Sequence, residues 1–346
     1  MSSADAVAVV LWIGVTMYAV FAGADFGAGL WSLLAGAGEH GRRPRELIDW
    51  AIGPVWEANH VWLIFALVVL WTGFPSAFEA TFSTLFIPLS LAALGIVLRG
   101  SGFAFHAAAR RAHGRALAET LFGLASVLTP FFMGTVVGAV AGGRIPVGNA
   151  AGDPVTSWLN PLSLVIGALF VATCAYLAAV FLVTNAQQTG APDLEHYFST
   201  RALVLAIVTG ALAAVGLFAL YKDARYVFDG LVGRGLPLVI LSLVCGVAGL
   251  VQLRRGAKRG VRPLAVAAVA SVIWGWGAAQ HPYLLPQKLT IADAAAPTAM
   301  LNSILIVFGV AVVVVLPSLA LLFTLVQRNF VEETSRPTPH LPERRH

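Results

Sequence analysis

A chain of 346 residues that is 58% hydrophobic and only 11% charged, with a mean hydropathy of +0.81, cannot cover a water-facing surface. Soluble domains carry roughly 25% charged residues, so lipid must be the solvent. The basic balance, 22 Lys and Arg against 17 Asp and Glu, falls in short loop clusters without a nucleic-acid motif, which excludes nucleic-acid binding.

Apolar stretches of about 20 residues mark spanning helices. In chain order they are 6–34, 50–72, 76–98, 117–141, 159–184, 202–221, 236–253, 264–285 and 298–327. The third can continue through Phe105 towards Arg110. No strand-type alternation competes, so the fold class is all-α: a polytopic bundle of about nine membrane helices. Residues 1–327 form one domain, and 328–346 are a polar, Pro-containing tail expected to be disordered. The first helix lacks a basic lead-in and a clear cleavage site, so it reads as retained. Cys174 and Cys245 sit inside apolar runs and read as small buried hydrophobes.

Orientation follows from Lys and Arg. Numbering loops by crossing, 17 of the 22 basic residues fall on one side and 5 on the other. The heavy side is cytoplasmic, which puts the N-terminus outside, the C-terminus inside, and makes the number of crossings odd.

Ionisable groups inside the spans are costly and are the default functional candidates. Asp25 lies in Gly23-Ala24-Asp25-Phe26-Gly27-Ala28-Gly29, near the end of the first helix. Glu57 and His60 lie three apart in the second, with Trp56 and Asn59 alongside. At 1.5 Å per residue Glu57 is roughly 10 Å, and Asp25 roughly 13 Å, from the inner face, so the two acids share a level. The glycines let another helix approach Asp25 closely. Two acids and an imidazole, open towards the cytoplasm, could carry protons inwards. The alternative is that they hydrogen-bond only to lock helix packing. His60 remains open between conduction, structure and metal ligation. Glu79, Glu119 and His281 lie near the interfaces, where solvation accounts for them. Among the tryptophans, Trp12, Trp31, Trp62, Trp71, Trp274 and Trp276 are belt or packing residues. His60, His106 and His281 differ in depth, so no bis-imidazole haem site forms; no nucleotide loop, nucleophile elbow or zinc motif is present.

The stretch Ile52-Gly53-Pro54-Val55-Trp56-Glu57-Ala58-Asn59-His60-Val61-Trp62-Leu63 resembles the I-G-P-x-W-x-x-N-x-x-W-L pattern of subunit II of the cytochrome bd-type quinol oxidases. Gly23 to Gly29 resembles that family's G-x-D-x-G-x-G. Leu98-Arg99-Gly100 after the third helix, and Pro282-Tyr283-Leu284-Leu285-Pro286 after the eighth, extend the likeness. Many relatives carry Asp-Gly-Asn-Glu where this chain has Glu57-Ala58-Asn59-His60, so Glu57 keeps an acid while His60 replaces a carboxylate with an imidazole, and this form is similar to the cyanide-insensitive branch. The resemblance implies a haem-poor subunit without haem of its own. It pairs in the bacterial inner membrane with a subunit I that carries haem b and haem d. Small accessory subunits, membrane lipids and a bound quinone or lipid are compatible with it. It further implies a cytoplasmic proton path through Asp25, Glu57 and His60, shaped by Trp56 and Asn59, towards an oxygen-reducing centre in subunit I. From the residues alone, a proton-coupled secondary transporter and a purely structural assembly subunit remain the rivals.

Overall fold

The computed structural model describes residues 2–36, 39–108, 112–257 and 259–327. Side chains of 39–40, 52–58, 102–108, 112–119, 316, 319–320 and 322–327 lie outside that description, as does the tail 328–346.

The order is helical almost throughout. α1 (Ser3–Leu34) is followed by α2 (Glu39–Gly73), α3 (Pro75–Thr84), α4 (Phe86–Ala108), α5 (Ala112–Ala141), α6 (Pro161–Gln188), α7 (Pro192–Asp223), α8 (Arg225–Val232), α9 (Leu236–Arg254) and α10 (Val261–Gln280). Then come a short hairpin of β1 (Tyr283–Leu285) and β2 (Leu289–Thr290), α11 (Ile291–Ala294) and α12 (Thr298–Gln327). Among the described residues, seven helices are long and apolar enough to cross a membrane, eight if one bent pair is a single span.

Two expected helices are corrected. The third, 76–98, is two pieces: α3 turns 116° from the end of α2 before α4 begins. Phe74 leaves helical geometry at φ −139° and Pro75 starts α3, where its missing N–H costs nothing. Leu85 ends α3 at φ −100°, and Pro88 has no N–H with which to continue the ladder into α4. The eighth helix stops at Gln280 rather than at 285. His281 precedes Pro282 and takes ψ 138°, as steric conflict with the proline ring favours, and residues 283–285 pair as a strand. Arg42, Arg43 and Arg45 lie in the first turns of α2, not in a loop, and Arg201 lies inside α7.

The core is built on α1 and α6. Leu177, Val180, Leu182 and Val183 of α6 pack with Trp31 of α1, with Phe198 and Ala202 of α7, and with Val261 and Ala265 of α10. Trp31 Nε1 donates to the Ala175 carbonyl at 2.9 Å, and Trp12 Nε1 to the Ile273 carbonyl at 2.9 Å. These two tryptophans lock packing, whereas Trp71 faces outwards. A second cluster closes the other end of α1, where Val7, Leu11, Phe74 and Ile145 meet the hairpin and α11. Helix α12 leans on α1 and α2 and exposes Ile306, Val307, Val310 and Val313.

Candidate functional site

Three helices converge on Asp25. Close approach is possible because small residues stand at the contacts. A Cβ on Gly27 would come within 1.9 Å of the Cys174 carbonyl oxygen of α6, and one on Gly29 within 2.1 Å of Ser126 Oγ of α5. On α4, a Cβ at Gly95 would meet Thr129 Oγ1 of α5 at 2.2 Å. The first helix is therefore pressed against α5 and α6, and α4 against α5, with the carboxyl group of Asp25 enclosed among them.

Enclosed polar groups need partners, and Asp25 has them on both oxygens. Arg99 Nη2 donates to Oδ1 at 2.6 Å and to the Asp25 carbonyl oxygen at 2.9 Å, while Nη1 donates to Oδ2. Asn59 Nδ2 of α2 adds a third donor to Oδ2 at 3.0 Å. Relative exposure is 0% for Asp25 and 2% for both Arg99 and Asn59. The guanidinium lies between two aromatic rings, 4.7 Å from the centroid of Phe26 and 4.6 Å from that of Phe122. The two-pronged fork of arginine matches a carboxylate as lysine cannot, and its weakly hydrated faces suit the ring contacts, worth about 2 kcal/mol when desolvated.

Arg99 is the residue that sequence reasoning placed wrongly. As the first basic residue after an apolar run it reads as a loop cation. In the structure α4 continues to Ala108 and Arg99 is the largest fully buried side chain among the described residues. The available signal was the apolar Phe103, Ala104 and Phe105 beyond it. Removing Arg99 from the loop tally leaves 16 basic residues against 5, so the asymmetry stands.

The remaining predicted residues lie on α2. Asn59 faces α1 and shares that side with Phe65 and Ala66, which meet Gly14, and with the buried Val69. The side chains of Glu57 and Trp56 lie outside the described residues. Helical register alone sets position 57 about 160° around α2 from position 59. It continues the outward stripe of Val61, Ile64, Val68 and Trp71, which are 65%, 61%, 47% and 62% exposed. His60 is half-buried beside it. The Asp25–Asn59 hydrogen bond is thus on one side of α2, and position 57 on the other.

The imidazoles of His60 and His281 lie at different depths. His60 adjoins Asn59 at the level of Asp25, whereas His281 Nε2 is 3.9 Å from Asp5. Positions 5 and 25 are about 30 Å apart along α1. Among the described residues no group of three or more His, Cys, Asp or Glu could hold a metal ion.

Residues 4–326 match the family described as cytochrome bd terminal oxidase subunit II. The chain belongs to that family. It is a subunit of a quinol oxidase complex, an oxidoreductase of the membrane, and a multi-pass membrane protein. A cytochrome bd ubiquinol oxidase subunit 2 of Bacillus subtilis (strain 168) is 24% identical over 237 residues, 67% of each chain. A second protein of that strain, named for the same subunit, aligns at 22% over 332 residues, 92% of this chain and 94% of its own length. The bd oxidase structure from Geobacillus thermodenitrificans superposes with a TM-score of 0.72 at 25% identity, covering 95% of this chain and 100% of the other. Membership in the family implies a complex with a subunit I.

Proposed function

We propose that this subunit II carries no haem, docks through α2 on a haem-bearing subunit I, and helps deliver protons from the cytoplasm to oxygen reduction there. The observation that carries the reading is the register of α2. Helical register puts position 57 in line with Val61, Ile64 and Val68, which this chain leaves exposed, and an acid turned to lipid is costly. A partner subunit over Val61, Ile64 and Val68 removes that cost and gives a proton carrier at position 57 access to the neighbouring chain. His60, beside it, is the second exchangeable group. Asp25 takes a different part from theirs. Held by Arg99 and Asn59, it is a fixed counter-charge that anchors α1, α2 and α4 behind the path, which Asn59 and Trp56 shape.

Under this reading haem b and haem d reside in subunit I, where quinol is oxidised and dioxygen reduced. The chain crosses the bacterial inner membrane nine times, with α3 as a surface segment between the second and third crossings and the N-terminus outside. The transporter alternative loses its support, since the family match spans residues 4–326. Replacing Glu57 by Gln tests the path. The assembled complex should keep its haem spectrum while oxygen consumption and proton uptake slow together; unchanged turnover in a fully assembled complex would sink the role of Glu57.

A further inference from the structure

The sparse side of the chain has only five basic residues, Arg144, Lys222, Arg225, Arg234 and Lys288. They come from three stretches of the sequence, 144, 222–234 and 288, and the fold brings Arg144, Lys222, Arg225 and Arg234 to one hollow. A cavity of about 440 Å³ opens where the end of α7 and the start of α8 meet the turn after α5 and the tip of the β-hairpin. Lys222 and Arg225 line it directly, with Tyr226 and Gln287. The Arg144 guanidinium lies against Gly142 in its wall, 3.5 Å from where a Cβ would stand. Arg234 donates to the Tyr226 hydroxyl at 3.4 Å and to the Ala279 carbonyl at 3.2 Å. Lys288 follows Gln287 at the hairpin tip.

Two carboxylates, Asp223 and Asp229, also line the hollow and balance Lys222 and Arg225; Arg144 and Arg234 in its wall make the patch net positive. Asp229 is engaged by Arg225 at 3.0 Å. Lys222 has no ion-pair partner among the described residues; its ammonium lies over the rings of Phe218 and Tyr221, at 5.7 and 5.9 Å. Beside the cations the surface turns apolar: Phe218, Tyr221 and Val232 are all exposed. Helix α8 tucks Val227 and Leu231 inwards and keeps Arg225 and Asp229 outwards, the division expected of a helix lying in a headgroup layer. Basic groups next to exposed aromatics mark an interface depth.

We propose that this hollow binds a phosphate group, carried by the headgroup of an anionic phospholipid whose acyl chains lie along Phe218 and Tyr221. Lys222 and Arg225 supply the charge, and the Gln287 amide supplies a neutral hydrogen bond. The apolar skirt favours a lipid over free phosphate, which would gain nothing from it.

The intact oxidase complex, stripped of lipid in detergent, is titrated with phosphatidylglycerol, with phosphatidylcholine and, separately, with inorganic phosphate. Native mass spectrometry reads bound lipid, and phosphorus NMR line broadening reads bound phosphate. Replacing both Lys222 and Arg225 by Gln should weaken phosphatidylglycerol binding about tenfold or more. Replacing Arg254 and Arg255 by Gln, which removes two cations at the opposite end, should leave that site unchanged. Phosphate binding that the Lys222/Arg225 variant loses, without selective retention of phosphatidylglycerol, would keep the anion site and assign it to free phosphate. Equal binding of both probes by that variant and by the wild type would overturn the proposal. Should the double variant not assemble, Gln287→Glu places a negative charge in the same hollow and carries the same expectation. Oxidase turnover is read in parallel, so a failure of the proton-path reading shows separately from a failure here.

Discussion

Two arginine–aspartate pairs in this chain have the same chemistry and opposite settings. Arg99 and Asp25 join helices 74 residues apart in sequence and are 2% and 0% exposed. Arg225 and Asp229 lie one turn apart on α8 and are 57% and 58% exposed. Water screens and competes for the second pair, so it contributes little to stability. The first has no water to return to if one partner is lost, so its worth is set by what is left behind when it breaks. Depth, more than geometry, separates a structural anchor from a surface decoration.

The largest effect should come from breaking the buried pair on one side. Arg99→Leu leaves the Asp25 carboxyl without its fork, at a cost of about 3–5 kcal/mol. The assembled complex should fall steeply in yield and in Tm, measured by haem content per chain and by thermal inactivation. Next, Asp25→Asn combined with Arg99→Met removes both charges and should recover at least half of that loss; no recovery would mean the pair does more than neutralise itself. Phe122→Leu takes away one ring from the guanidinium and should cost about 2 kcal/mol or less, lowering Tm with turnover preserved. Arg225→Gln should leave Tm unchanged within error; a clear drop would erase the contrast between the two pairs.

The smallest effect concerns the loop after α5. Asp153 accepts from the backbone N–H groups of Val155 and Thr156, at 2.8 and 2.7 Å. These bonds hold its carboxyl below the usual value. A depressed acid contributes above its unfolded pKa, near 3.8, and loses that contribution as pH falls through the folded value. Hydrogen exchange around residues 153–158 should therefore be flat from pH 7 to 5 after intrinsic-rate correction and rise only in stronger acid. Asp153→Ala should show the raised exchange already at pH 7.

Membrane class, the stretches that become helices, and the small set of polar residues that lipid would not tolerate without a reason are all legible along the chain. These follow from composition and local hydropathy, which need no neighbours: a run of 20 apolar residues is apolar whatever packs on it. The motifs at 23–29 and 52–63 likewise point to the family, and they contain both Asp25 and Asn59. What Asp25 binds, the run of α4 past Arg99, and the turn of α3 at Phe74–Pro75 are set by packing between helices. Each is a question of which helix lies beside which. An arginine at the end of an apolar run is a loop residue if it meets water and a core residue if a carboxylate and two phenyl rings wait for it. That depends on Gly27, Gly29 and Gly95 admitting neighbouring helices to van der Waals distance, which a reading along one chain does not supply. The same holds at the other end, where Arg144, Lys222, Arg225 and Arg234 become one patch only after α7, α8 and the turn after α5 have packed.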